Sequence, residues 1–88
     1  MNETLISKEL LFTKIAELVS KTADIPVENV TPESTFQSMG LDSLDALAMI
    51  NDLEEEFNVS IPNKEVLKIR TVGQAVESFE KLLGLQIN

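Results

Sequence analysis

Apolar side chains recur at helical spacing in three stretches of this 88-residue chain, and two breaks separate them. Leu11, Phe12, Ile15, Leu18, Val19 and Thr22 form one stripe, with Thr13, Lys14, Glu17, Ser20 and Lys21 opposite. That period predicts a first helix from about Thr4 to Thr22. From Ala23 to Gly40 the pattern fails and Pro26 and Pro32 intervene; a connection this long in a compact domain needs a function or internal structure. Thr31-Pro32-Glu33 predicts a single helical turn, since threonine caps and proline suits the first helical position. Phe36 is expected to anchor the loop in the core. At 100° per residue, a second helix from about Ser43 to Phe57 turns Ala46, Met49, Ile50, Leu53 and Phe57 inward. Leu44, Ala48, Asn51 and Glu55 fall opposite, with Asp45, Asp52 and Glu56 on one flank. Val59-Ser60-Ile61-Pro62 breaks the period, and Asn63 is placed to cap a short helix carrying Val66, Leu67 and Ile69. Thr71-Val72-Gly73-Gln74 has capping-box spacing, and Val72, Ala75, Val76, Phe79, Leu82 and Leu83 give a last apolar face that Gly84 is expected to end. The expectation is an all-α fold: a small four-helix bundle, three main helices plus one short, with a long loop between the first and second. One domain over residues 1–88 is predicted, its bundle spanning about 4–84 between short flexible termini.

Composition narrows what such a bundle can do. With 43% hydrophobic residues and only 3 Gly and 3 Pro, the chain is too apolar for a disordered tail, while its apolar runs are too short to cross a bilayer. Met1-Asn2-Glu3 is not followed by a basic segment and apolar run, so no secretory signal is expected and a cytoplasmic location follows by default. Seven basic against fifteen acidic residues leave a net charge of −8, which repels nucleic acid and anionic lipid and attracts basic protein surfaces. The expected protein is a monomer that binds no nucleic acid and inserts in no membrane. There is no histidine and no cysteine, so a serine nucleophile lacks its usual base, and disulfides and thiolate metal sites are excluded. Glu54-Glu55-Glu56 lacks the ligand alternation and central glycine of a calcium loop, and no metal site is expected. Intrinsic catalysis is not expected either.

The most informative residue is Ser43, in Gly40-Leu41-Asp42-Ser43-Leu44-Asp45. Gly40 supplies a turn that other residues enter with strain. Asp42 suits the N-cap, its carboxylate placed to accept from the amides of Leu44 and Asp45. Capping therefore falls to Asp42, leaving the Ser43 hydroxyl to face solvent and be modified. Six of the fifteen acids, Asp42, Asp45, Asp52, Glu54, Glu55 and Glu56, cluster around this helix. Leu44, an exposed apolar residue ringed by carboxylates, has the make-up of a docking patch with an apolar centre and polar rim. The residues alone leave open a second reading, an acidic interaction protein without a prosthetic group.

Gly40 through Phe57, with Val59-Ser60-Ile61-Pro62 and Thr71-Val72, resembles the acyl carrier protein family, and the likeness runs from about Leu11 to Leu83. It implies a 4′-phosphopantetheine arm, moved from coenzyme A to Ser43 by a phosphopantetheinyl transferase. That arm provides the thiol which a cysteine-free chain lacks, and holds acyl groups as thioesters. The implied role is a non-catalytic carrier that delivers acyl chains to acyl-transfer, synthase or ligase enzymes with basic docking surfaces. Its docking residues would be Asp42, Leu44, Asp45, Asp52, Glu55 and Glu56. Phe36, Met49, Leu53, Ile61, Val66 and Ile69 would line an acyl cavity. Carriers for fatty-acid synthesis usually have glutamate at the position of Ala48, methionine at Asn51 and an acid at Ser38, and the loop from Phe36 to Ser43 is one residue shorter here than in many of them. A carrier for specialised lipid or polyketide synthesis thus stands beside the fatty-acid role, and peptidyl and D-alanyl carriers share the arm.

Overall fold

The computed structural model describes residues 8–87, with side chains placed through Gly84. Four α-helices follow in order: α1 Lys8–Ala23, α2 Ser43–Phe57, α3 Asn63–Val66 and α4 Val72–Ile87. The all-α bundle is as the periodicity predicts. The proposed start of the first helix at Thr4 lies outside the described residues, as do the ends of both termini. Helix α1 packs along α4 and also touches α2. Leu11, Ile15, Ala16 and Val19 of α1 are buried, while Thr22, expected on the same stripe, is exposed. Ala16 takes the inward position because a helix face drifts with the true 3.6-residue period.

Both long helices before the last one stop in the same way. Asp24 and Asn58 take left-handed backbone, at φ 60° and 58°. The amides of Ile25 and Val59 then reach back to the carbonyls of Ser20 and Glu54, at 3.1 and 3.0 Å. This six-to-one bond satisfies a carbonyl that the helix end would strand, and Asp and Asn tolerate the left-handed well better than most residues.

The long loop is built from turns rather than from a helix at its centre. A 3-10 turn covers Val27–Asn29 and another Gln37–Met39. Thr31-Pro32-Glu33 is not helical: the Ser34 amide donates to the Thr31 carbonyl at 3.0 Å, and the Thr31 amide donates to Ser34 Oγ at 3.0 Å. A β-turn with proline second and serine closing it satisfies the same groups without propagating a helix. The loop is then stitched to the start of α4. Phe36 donates its amide to the Arg70 carbonyl and Val72 to that of Ser34, both at 3.0 Å, forming a one-pair bridge between Thr35 and Thr71. Phe36 is 5% exposed and anchors the loop as expected.

Asn63 does not cap α3 with its side chain; Pro62 holds the N-cap position and no side chain bonds there. Proline's fixed φ preorganises the entry, and the helix lasts only four residues, so Leu67 and Ile69 lie beyond it. The capping box of α4 forms as predicted: Gln74 donates its amide to Thr71 Oγ1, and Gln74 Oε1 accepts from the Thr71 amide, both at 3.1 Å. Phe79 is fully buried, which contributes about 1.5–3 kcal/mol, and its ring sits 5.8 Å from that of Phe57.

Gly84 does not end α4, which continues to Ile87. A Cβ at this position would meet nothing within 4 Å. Gly84→Ala should therefore raise stability by about 0.5–1 kcal/mol, the cost of glycine inside a helix. Urea denaturation of the two proteins measures this, and unchanged or lowered stability would show that the helix does not form there in solution.

Candidate functional site

Residues 41–46 turn the chain from the loop into α2. Gly40 makes the turn at φ 83°, left-handed backbone that suits glycine. Leu41, 6% exposed, plugs into the core behind it, its amide donating to the Phe36 carbonyl at 2.9 Å. Asp42 then takes extended backbone at φ −88°, ψ −174°, and caps α2. Its Oδ1 accepts from the Asp45 amide at 2.9 Å, and Asp45 Oδ2 accepts from the Asp42 amide at 3.3 Å. The cap is thus a reciprocal box of two aspartates. It engages the amide of Asp45 and not that of Leu44, since one carboxylate oxygen is committed to the third residue of the helix.

Ser43 is the first residue of α2 and is exposed. Among the described residues nothing bonds its hydroxyl, because Asp42 and Asp45 hold the helix start without it. A positive helix end lies beside that oxygen, an environment that favours an anion.

Of the residues singled out for docking, Asp42, Leu44, Asp45, Asp52, Glu55 and Glu56 are all exposed, Leu44 at 74%. Glu56 differs from the rest: it pairs with Lys14 of α1 at 3.2 Å. Among the described residues Asp42, Asp45, Asp52 and Glu55 form no ion pair, so their field reaches solvent unneutralised. Glu54, next in line, faces the other way and accepts from the Ile61 amide at 2.6 Å. It holds the turn after α2 in place. Two further apolar residues join the surface: Leu47, and Leu67, which the sequence placed on the short third helix. Leu47, 39% exposed, follows Leu44 by three residues, a spacing that marks neighbours on one face. Leu67, 79% exposed, is left outward when α3 stops at Val66, and no signal in the sequence marks that stop.

A groove of about 610 Å³ opens beside Ser43, between the start of α2 and residues 67–70. Phe36, Leu41, Ala46 and Ile69 give it an apolar lining, and Ser43, Leu67 and Arg70 border it. Of the six residues expected around an acyl cavity, Phe36 and Ile69 meet in this groove. Met49, Leu53 and Ile61 are buried in the core, and Val66 packs against it. An exposed hydroxyl at a helix start, with a groove of mixed polar and apolar lining alongside, fits a phosphate-linked arm carrying a less polar chain.

The comparisons with known proteins agree with this geometry. Residues 13–79 match the family described as the phosphopantetheine attachment site. An acyl carrier protein of Acidothermus cellulolyticus is 40% identical over 73 residues, covering 82% of this chain and 87% of the relative. Among solved structures, a free-standing peptidyl carrier protein from a secondary metabolic pathway of Acinetobacter baumannii superposes with a TM-score of 0.75 at 27% identity, covering 88% of this chain and 96% of the other. An acyl carrier protein of Thermotoga maritima gives a TM-score of 0.69 at 29% identity, over 85% of this chain and 93% of that one.

Proposed function

This chain belongs to the phosphopantetheine-attachment family of carrier proteins, and from that membership we propose that Ser43 is the attachment residue and that the cargo is an acyl group for lipid or polyketide synthesis. The family carries its 4′-phosphopantetheine covalently, and its members transport rather than catalyse. Bound, the arm supplies a thiol on which the cargo is held as a thioester. The chain's own residues supply the rest. Ser43 offers the oxygen, Asp42 and Asp45 lock the helix start that presents it, and the helix end favours the resulting phosphodiester. Asp42, Leu44, Asp45, Asp52 and Glu55 form the face toward phosphopantetheinyl transferase and synthase or ligase partners, with Glu56 partly occupied by Lys14. The observation that carries this reading is a solvent-facing serine relieved of every structural task by its two aspartate neighbours.

Ser38, Ala48 and Asn51 are exposed, so the three departures from the fatty-acid pattern lie where a partner would touch. They favour a specialised acyl pathway over the fatty-acid one. The likeness to a peptidyl carrier structure supports aminoacyl cargo as the second reading. Incubation with coenzyme A and a broad-specificity transferase, followed by intact mass and peptide mapping, is expected to place one arm on Ser43. An unmodified protein, or an arm elsewhere, would overturn the assignment. The mass of protein purified from its native source reads the cargo directly, with an aminoacyl adduct deciding for the second reading.

A further inference from the structure

We propose that Arg70 is a positioning residue for the arm, its guanidinium pairing with the phosphodiester on Ser43 and steering the arm into the adjoining groove. This rests on Ser43 being the attachment residue. Arg70 and Ser43 border the same groove, and Arg70 is the one basic residue among those that line it. The Arg70 backbone is fixed on both sides: its amide donates to Gln74 Oε1 at 2.7 Å and its carbonyl accepts from the Phe36 amide at 3.0 Å. The side chain therefore springs from a held point at the groove's edge. Its guanidinium has no ion pair among the described residues, although Asp42 lines the same groove. Asp42 Oδ1 instead accepts from the Asp45 amide at 2.9 Å, which holds that carboxylate on the helix start.

In a chain of net charge −8 with seven basic residues, Lys8 is already paired with Glu80 of α4 and Lys14 with Glu56 of α2. A guanidinium without an ion pair among the described residues, on the groove that Ser43 also borders, is thus matched to an anion that arrives with the modification. Arginine suits the task, since its planar fork presents parallel donors to phosphate oxygens. With the phosphate held there, the chain beyond it starts next to Leu67 and Ile69, an apolar border, rather than along the carboxylates of α2. An exposed ion pair of this kind supports about a 1.5- to 5-fold shift in the ratio of docked to free arm.

The test uses full-length protein loaded by a broad-specificity transferase, with attachment at Ser43 verified by mass. The Arg70 side-chain Nε–H resonance is compared between apo and holo forms, and relaxation of the arm's amides is compared among holo wild type, Arg70→Gln and Arg70→Lys. Expected are a shift of the Arg70 resonance on loading that shrinks in high salt, greater arm mobility in Arg70→Gln, and partial restoration in Arg70→Lys. An arm on Ser43 with an unmoved Arg70 resonance, or equal arm mobility in wild type and Arg70→Gln, overturns the inference while the attachment site stands. The same holds if Arg70→Gln changes only affinity for a partner enzyme. A protein that takes no arm at Ser43 overturns both, and the mass distinguishes that case from the others.

Discussion

Ser43→Ala protein is expected to fold as the wild type does and to take no arm at all. The two halves of that outcome have separate physical causes. Stability should move by no more than about 0.5 kcal/mol, the usual range for surface positions without special contacts. Ser43 is exposed and unbonded among the described residues, and alanine is the better helix former. Loading, in contrast, loses the one hydroxyl among residues 42–45 at the helix start. Asp42→Ala makes the informative comparison. It removes half of the capping box that joins Asp42 and Asp45, at a cost of about 0.5–2 kcal/mol, yet keeps the hydroxyl, so it should load more slowly but still load. Intact mass and thermal unfolding on the same three samples separate these effects. Full loading of Ser43→Ala would move the attachment elsewhere, and its unfolding would make the serine a structural residue.

The legible part of this molecule is the part where one local rule decides. The boundaries of α2 follow from a good cap at Asp42 and an inward face that ends at Phe57, and the capping box at Thr71 and Gln74 is written in its spacing. Phe36 is the bulkiest apolar residue of the loop, and its burial follows from that size. What escapes the sequence is settled by competition between neighbours. Thr31-Pro32-Glu33 fits a helix start and a β-turn equally, and Ser34 tips it to the turn by accepting the Thr31 amide. Gly84 has the type of a helix stop, but a glycine ends a helix only if the backbone goes left-handed there, and α4 continues through it. The actual left-handed stops are Asp24 and Asn58, residues that serve many other roles. The groove beside Ser43 is the least readable feature, because it needs Phe36, Leu41, Ala46 and Ile69 to converge from three separate segments.

Replacing both Asp52 and Glu55 with lysine is expected to weaken binding to phosphopantetheinyl transferase by about 5- to 150-fold while leaving the fold unchanged. Both carboxylates are exposed and form no ion pair among the described residues, so the folded state loses little with them. In a complex with a basic surface each exposed pair contributes about 0.2–1 kcal/mol. A reversal removes that attraction and adds repulsion of similar size, giving about 1–3 kcal/mol for two sites, and 1.4 kcal/mol is tenfold in affinity. Net charge matters less than position. The double substitution takes the chain from −8 to −4, since each acid-to-lysine change adds two, and the same change made at Glu9 and Glu77 provides the control. Those two border a separate groove between α1 and α4. Raising salt should weaken the wild-type complex and flatten the difference, because charges more than about 8 Å apart are largely screened at physiological ionic strength. Glu56→Lys is a poorer probe, since it breaks the pair with Lys14 and mixes folding with docking. Equal losses from both double variants would leave only a diffuse acidity at work, and no loss from Asp52 and Glu55 would mean that the acidic flank of α2 is not where partners land.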